Sequence, residues 1–525
     1  MPQLTALTWF LSFSPVVVIL YLMLGKRWSG RHAGTAAWLV ALAVSYLAFG
    51  ADLPLLAIGT LKGLWATVFI VLIIWGAIAL YNVVEKTGGF TAITEAFTQL
   101  TGGNRLLQLL VIGFAFPSFL QGVLGFGTAV AVAAPLLLGL GFNPLTATTV
   151  PLIGHSWAVT FGSLGSSYGI LINLTGLDPG GVALWSSLFL ALSALISGVF
   201  VVHIYNGLRG VVEGLPAVLL LAGSMGGSLI LVANFVTPYV ASVVSGLLGL
   251  IVGGIVLPRT SWYRPKDGLS INSPLEITGS SGIPFKVAFY PYFLLLAVVL
   301  GVFLTPLKGL LGGVQVGPSF PATATRLGFT NPAVTDFAPI SVFTTPGVLI
   351  FLTVFLSIVI YRLNRLWKPQ FTKQASRDVV KRAVPSTMTL VTMSMMAAVM
   401  KESGMVALLA QGTATLAGGA FPLLAPFIGN LGAFITGSNS SSNILFGVFQ
   451  RDVAQLLEID AVIIAAMQTT GGALGSMISP LKVAMGAAMT GMVGNEGLIM
   501  QRVLTYNMGL MLILGLLSLG LITLL

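Results

Sequence analysis

Long apolar runs recur along the chain at about residues 8–24, 34–50, 63–84, 181–205, 215–233, 238–257, 286–304, 346–361, 384–400 and 503–525. Each approaches the roughly 20 apolar residues that a helix needs to cross a bilayer, and none shows the two-residue alternation of a membrane β-strand. The pattern predicts an all-α polytopic membrane protein. Two regions, Asn104 to Gly176 and Ala420 to Gly494, interrupt it with short polar patches set in apolar sequence. The most polar is TGSNSSSN, Thr436 to Asn443, which lies between PLLAPFIGNLGAFI and ILFGVF.

The interrupted regions resemble each other. VVEKTGGFTAITEAFTQLTGG (Val83–Gly103) aligns without gaps on VMKESGMVALLAQGTATLAGG (Val399–Gly419), with matches at Val83/Val399, Gly88/Gly404 and Leu100/Leu416. In nearly constant register Gly113 then falls on Gly429, Gly122 on Gly437, and Gly162-Ser163 on Gly475-Ser476. Each region reads as a re-entrant hairpin followed by a broken helix. The hairpin lies near 105–140 and the broken helix near 145–176 in the half 1–258; their counterparts near 420–456 and 460–494 lie in the half 286–525, beyond a polar loop at 259–285. The remaining spans read as peripheral helices. Threading the spans alternately puts Lys86 on one side of the membrane and its counterpart Glu402 on the other, so the two repeats are expected to be inverted. Inverted repeats with interrupted hydrophobic segments at matching places point to the midplane site of a secondary transporter.

Charge supports this threading. Lys26 to Arg31, Glu85 to Arg105, Arg209, Arg259 to Lys266 and the basic stretch Arg362 to Arg382 all fall on one side, which the positive-inside rule makes cytoplasmic. Thr305 to Thr345 falls on the other. Met1 to Gly25 reads as a first membrane helix with its N-terminus outside, because the cations Lys26, Arg27 and Arg31 follow its apolar run. With 56% hydrophobic and 7% charged residues, against roughly 25% charged in soluble domains, the 525-residue chain cannot cover a water-facing surface. Its mean hydropathy is +0.99. The formal charge of +10 follows topology, since the cations sit between apolar runs without aromatic interleaving, and nucleic acid is not an expected partner. Cysteine is absent and histidine occurs three times, as His32, His155 and His203, so no metal centre, thiol chemistry or cofactor is expected.

Within a bilayer, non-helical backbone is tolerated only where protein buries it or where it lines a watery cavity. TGSNSSSN is rich in residues that favour caps and turns, and it reads as the tip of a re-entrant hairpin. Its repeat partner is QGVLGFGT, Gln121 to Thr128. A helix that starts at such a tip presents free N–H groups and a partial positive charge, which suits an anion. Gly154-His155-Ser156 and Gln468 to Gly472, near the helix breakers Pro151 and Pro480, complete a pseudo-symmetric set. The expected site is small, largely neutral and hydrogen-bonding, for a small anion.

The stretches FLQGVLGFGTAVAVAAPLLLGLGFNPL, FITGSNSSSNILFGVFQ and TTGGALGSMISP together resemble the L-lactate permease family, in order and over nearly the whole chain. The resemblance implies a two-repeat ion-transporter fold in a prokaryotic inner membrane and the import of lactate or glycolate by proton symport with alternating access. Gln121 and Asn439 stand where that family carries carboxylates, and His155 stands where it carries an asparagine. The substrate is expected at Gln121, Gly125, Phe126, Gly127, His155, Ser156, Ser438, Asn439, Ser440, Ser441, Asn443, Thr469, Thr470 and Gly471. His155, which titrates near 6.5 when unperturbed, becomes the candidate proton carrier. A monomer or homodimer is expected.

Simpler readings stand beside these. TGSNSSSN also fits a surface loop, and Asn439-Ser440-Ser441 matches a glycosylation sequon. His155 reads equally as a structural histidine bonded to a neighbouring helix. Lys482 reads as an interfacial lysine reaching for water rather than as a substrate partner. The methionines between Met388 and Met405 read as packing, not as a soft-metal stripe. Rival functions are a carrier for another organic anion without proton coupling, an anion channel, or an intramembrane enzyme; the last needs clustered acids that the hairpins lack. No phosphate-binding loop supports ATP-driven transport.

Overall fold

The computed structural model describes residues 2–26, 28–100, 104–123, 127–260, 263, 283–303, 305–493 and 495–524. Almost all of it is helix. The first group comprises α1 (Ala6–Leu20), α2 (Gly30–Ala48), α3 (Leu53–Lys86) and α4 (Gly89–Leu100). Next come α5 (Arg105–Leu110), α6 (Phe116–Val123), α7 (Thr128–Gly139), α8 (Pro144–Gly154) and α9 (Gly162–Thr175). The peripheral elements are α10 (Pro179–Phe235), α11 (Pro238–Ile251), α12 (Phe285–Phe303), α13 (Leu307–Leu311) and α14 (Pro346–Leu363). The last group comprises α15 (Pro369–Glu402), α16 (Met405–Ala417), α17 (Phe421–Thr436), α18 (Asn439–Leu456), α19 (Ala461–Gly475), α20 (Pro480–Thr490) and α21 (Glu496–Leu524). Among the described residues, 11 helical segments are long and apolar enough to cross a membrane.

The sequence spans near 181–205 and 215–233 fall on two helices, labelled together as α10, which turn back on each other where Asn206 and Gly207 leave helical geometry, so that Gly198 packs against Val218 and Gly226 against Ala191. Two other spans run longer than hydrophobicity alone suggested. α3 begins at Leu53 and α15 at Pro369, so each has 34 residues and is about 51 Å long at 1.5 Å per residue. The apolar membrane core is about 30 Å thick, so the basic start of α15 projects beyond it.

α3 and α15, the helices that open the two aligned regions, pack side by side and antiparallel. Lys86, at the C-terminal end of α3, binds Asp378 near the start of α15 at 2.7 Å, while Lys62, near the start of α3, binds Glu402 at the end of α15 at 2.8 Å. Between these ends Gly63 lies against the Ser394–Met395 backbone. Aligned residues therefore sit at opposite ends of the pair, as an inverted repeat requires. Lys86 shares its end with the basic 362–382 segment. Glu402 shares its end with the 305–345 segment through Thr323 and Asn331. That segment folds into two short antiparallel ladders, Gln315–Val316 with Ile340–Ser341 and Thr323–Ala324 with Thr330–Asn331. It docks on the turn after α2 through the Arg326 N–H, which donates to the Gly50 carbonyl at 2.8 Å.

The repeat cores interlock. α17 and α18 form a helical hairpin that packs on α19, and α18 also packs on α9 of the other repeat. Reciprocally, α7 packs on α8 of its own repeat and on α20 of the other. Contact is close where small residues allow it. A Cβ on Gly154 would overlap the Gly113 carbonyl in the first repeat, and one on Gly475 would overlap the Asn430 carbonyl in the second. This corrects the register of the alignment: Gly475-Ser476 correspond in place to Gly154 and Ser156, the serine in each case being the first residue of a 3-10 turn (Ser156–Ala158 and Ser476–Ile478). Gly162-Ser163 lie beyond that turn.

Candidate functional site

TGSNSSSN forms the turn of the second hairpin. α17 ends at Thr436, Gly437 takes a left-handed conformation (φ +73°), and Ser438 is the N-cap of α18. Glycine is needed at such a φ because a side chain would clash with the backbone. Ser438 accepts a hydrogen bond from the Ser441 N–H at 3.3 Å, so this end of the helix is partly capped by its own chain rather than left free for a ligand. The patch is not a surface loop: residues Asn439, Ser440, Ser441, Ser442 and Asn443 are all buried, which also puts the sequon out of reach.

Of these side chains, Asn439, Ser440 and Asn443 face a polar seam between the repeats, while the Ser442 hydroxyl donates to the Gly429 carbonyl within its own repeat. Asn439 Nδ2 donates to Thr160 Oγ1 at 3.1 Å, in the first repeat, and to Thr469 Oγ1 at 3.2 Å, in the second. Asn443 Nδ2 donates to the Ser167 carbonyl and to Thr469 Oγ1, both at 2.9 Å. The Ser440 and Ser167 hydroxyls are 3.0 Å apart, and Thr160 Oγ1 donates to the Thr469 carbonyl at 3.0 Å. Gln468 extends the network by donating to Ser442 Oγ at 3.0 Å. Asn439 Oδ1 is buried without a hydrogen-bond partner among the described residues. A buried carbonyl-type oxygen left unpaired costs about 1–3 kcal/mol.

The first repeat supplies a bent approach to the same seam. After the 3-10 turn Ser156–Ala158, Ser163, Leu164 and Gly165 are all left-handed, with φ of 46°, 52° and 71°, before α9 resumes. Left-handed geometry at Ser163 and Leu164 is strained, and such strain concentrates at functional sites. It turns Thr160 and Ser167 toward the second hairpin.

Gln121 lies in the last turn of α6 and not at a hairpin tip. It packs against Gly162, and its Oε1 is buried without a partner. Gly125 and Phe126 lie outside the described residues. Gly127 is the left-handed N-cap of α7 (φ +81°), close to the side chains of Lys482 and Met485. Three expected residues have other duties. The Ser156 hydroxyl donates to the Ile153 carbonyl and the Thr470 hydroxyl to the Ala466 carbonyl, each within its own helical turn. Gly471 lies against the Pro426 carbonyl, so it serves the α17–α19 crossing instead of the seam.

His155 and Lys482 form a second polar centre beside this seam. His155 Nδ1 is 2.7 Å from the Pro151 carbonyl oxygen. A carbonyl only accepts, so Nδ1 carries the hydrogen and Nε2 presents a lone pair. That lone pair faces Lys482 Nζ at 3.0 Å, and Lys482 also donates to Ser476 Oγ at 3.0 Å. Lys482 is 3% exposed, which overturns its reading as an interfacial lysine reaching for water. The four ion pairs among the described residues all lie elsewhere, and no carboxylate is within 4.0 Å of Lys482. Sequence reasoning missed Thr160 and Ser167: it singled out Gly162-Ser163 between them, and sequence alone does not show which hydroxyls of TFGSLGSSYG turn toward the other repeat. It saw Lys482 but read it as an interfacial lysine, because the sequence says nothing of what packs over it.

Comparison with known proteins bears on the chemistry of this seam. The family model described as L-lactate permease matches residues 8–525. The L-lactate permease of Salmonella typhimurium is 30% identical over 503 residues, covering 92% of this chain and 90% of that protein. The glycolate permease GlcA of Escherichia coli is 28% identical over 548 residues, covering 96% and 94%. Among solved structures, the Neisseria gonorrhoeae MtrF transporter aligns at 16% identity with a TM-score of 0.46, over 88% of this chain and 82% of its own, too distant to bear on the assignment. With a match that runs from the first helix through both repeats to α21, this multi-pass bacterial membrane protein belongs to the L-lactate permease family.

Proposed function

We propose that the chain is a secondary carrier that imports a small 2-hydroxymonocarboxylate, lactate or glycolate, by proton symport with alternating access. The observation that carries this reading is the buried seam at which Asn439 ties Thr160 of one repeat to Thr469 of the other. Its groups are amides and hydroxyls, which donate to a carboxylate and accept from a hydroxyl. The unpartnered Oδ1 of Asn439 and Oε1 of Gln121 suit a hydroxyl donor. The membership of the family and the names of its permeases agree with a substrate that carries one charge and one hydroxyl.

The symport reading rests on His155, because Gln121 and Asn439 are amides that cannot titrate. Its Nε2 lone pair lies 3.0 Å from Lys482 Nζ. Uptake of labelled L-lactate into proteoliposomes, with and without an inward proton gradient, tests the function. Accumulation that follows the gradient is expected in the wild type. In His155→Gln, accumulation is expected to fall to the level of passive equilibration; unchanged coupling removes His155 from the proton path.

A further inference from the structure

Lys482 is a buried lysine in the core of a membrane protein without an acid beside it, so that when protonated it is an unpaired charge. Burying an unpaired charge is strongly unfavourable, and intramembrane cations therefore pair or serve function. Its surroundings make pairing within the chain impossible among the described residues. α20 packs on α7, α8, α21 and the Ser476–Ile478 turn. α7, α8 and that turn contain no titratable side chain. On α21, Arg502 donates to the Ile204 carbonyl and Tyr506 bonds His203, while Glu496 is the first residue of the helix. His155 is the titratable group that faces Lys482, and it does so with a lone pair. Ser476 is likewise an acceptor toward Lys482, since its hydroxyl hydrogen goes to the Ala473 carbonyl at 2.7 Å. Once Lys482 is protonated, two of its three ammonium hydrogens are taken by these neutral acceptors and the third is left for an incoming one. The stem of Lys482 also lies 3.6 Å from the Cβ position of Gly127, at the N-terminus of the 12-residue α7, a second source of positive potential.

We infer that Lys482 is the counter-ion of the transported carboxylate and carries the coupled proton on its Nζ, with His155 Nε2 as the path by which that proton enters and leaves. The inference rests on the carrier reading above and names how its site handles charge. In the loaded carrier a proton from solution occupies the Nζ lone pair, and the resulting ammonium is neutralised by the bound carboxylate. On release the anion departs, the ammonium gives its proton to His155 Nε2 and thence to solution, and lysine returns as a neutral amine. Both translocating forms then hold no net charge at the site, so neither drags an unpaired charge through the low-dielectric core. One proton moves with each anion. Neutral amide and hydroxyl groups of the seam orient the substrate but cannot perform this step.

Two variants in proteoliposomes separate the roles. K482M removes the charge and is expected to abolish exchange of labelled lactate, by about 100-fold or more. The variant also replaces a buried titratable group by an apolar one of similar length, so it is expected to melt no lower than the wild type, which guards against a misfolding explanation. K482R keeps the charge, but a guanidinium does not deprotonate in proteins. It is expected to exchange lactate while losing accumulation driven by a pH gradient. If K482M does not fold, K482Q takes its place. A folded K482M or K482Q that exchanges lactate, or a K482R that either fails to exchange or accumulates it with the gradient, overturns the proposal. If the wild type neither exchanges lactate or glycolate nor is stabilised by them against heat, the carrier reading itself fails and takes this inference with it.

Discussion

Thr160 is one hydroxyl, yet it accepts from Asn439 and donates to the Thr469 carbonyl, so it joins the two repeats at their most polar contact. Thr160→Val keeps the shape and removes both bonds. A neutral hydrogen bond contributes about 1 kcal/mol net, which corresponds to roughly fivefold in affinity. The expected outcome is a rise of about that size in the lactate Kd, measured by calorimetry, with the fold unchanged; a Kd equal to that of the wild type would remove Thr160 from the site. At this scale the sequence was legible where residues cluster. TGSNSSSN announced itself, and Asn439, Ser440 and Asn443 do line the seam. Thr470 and Gly471 belonged to an equally conspicuous patch, but the Thr470 hydroxyl bonds back to Ala466 in its own helix and Gly471 faces α17, because 3.6-residue periodicity sends neighbours in sequence to different faces.

At the scale of elements, the tightness of two crossings sets the geometry. α17 crosses α19 with Gly429, Gly471 and Gly475 each against a carbonyl of the facing helix, a device common between membrane helices. Gly471→Ala forces a methyl into the Pro426 carbonyl, and overpacking of this kind costs about 1–3 kcal/mol. The melting temperature in detergent should fall, whereas Gly223→Ala, in α10 with open space around it, should leave it unchanged. The α3–α15 pair depends on charge as well as on glycine. Lys62 and Glu402 are 5% and 6% exposed at their side chains. Breaking a buried pair by removing one partner costs about 3–5 kcal/mol, so Glu402→Gln should lower the melting temperature more than Gly471→Ala does. Equal or higher stability in that variant would mean that Lys62 finds another partner. The alignment of Val83–Gly103 with Val399–Gly419 showed which helices correspond. It did not show that the break after α8 corresponds in place to the one after α19, because glycine identities alone do not fix register.

Over the whole molecule, the two ends differ in chemistry. One carries the 362–382 basic segment with Lys86 and Asp378, the other the small 305–345 β-element over Glu402. A cleft lined by Lys62, Asn173, Phe337, Lys401 and Phe449 opens between the α3–α15 pair and the α9–α18 contact, toward the Glu402 end. Because the chain has 0 cysteines, single cysteines report sidedness directly. Gly313→Cys should react with a membrane-impermeant maleimide on intact cells, and Ser376→Cys only after the membrane is permeabilised. The opposite labelling pattern would reverse the orientation that the basic loops assign. Both positions are exposed, so a failure to label reports the membrane and not burial.

What the sequence determined by itself follows from composition and period: a helical membrane protein, the polar interruptions set in apolar sequence and the resemblance to lactate permeases. These are local or additive properties, readable because the bilayer punishes every unsatisfied polar group and every misplaced cation. Tertiary structure decided which polar residues meet. Thr160 reaches Asn439 across 279 residues and His155 reaches Lys482 across 327, and no local pattern encodes such pairings. The role of Lys482 depends wholly on that meeting, since whether a lysine reaches water or sits unpaired in the core is fixed by the helices that cover it.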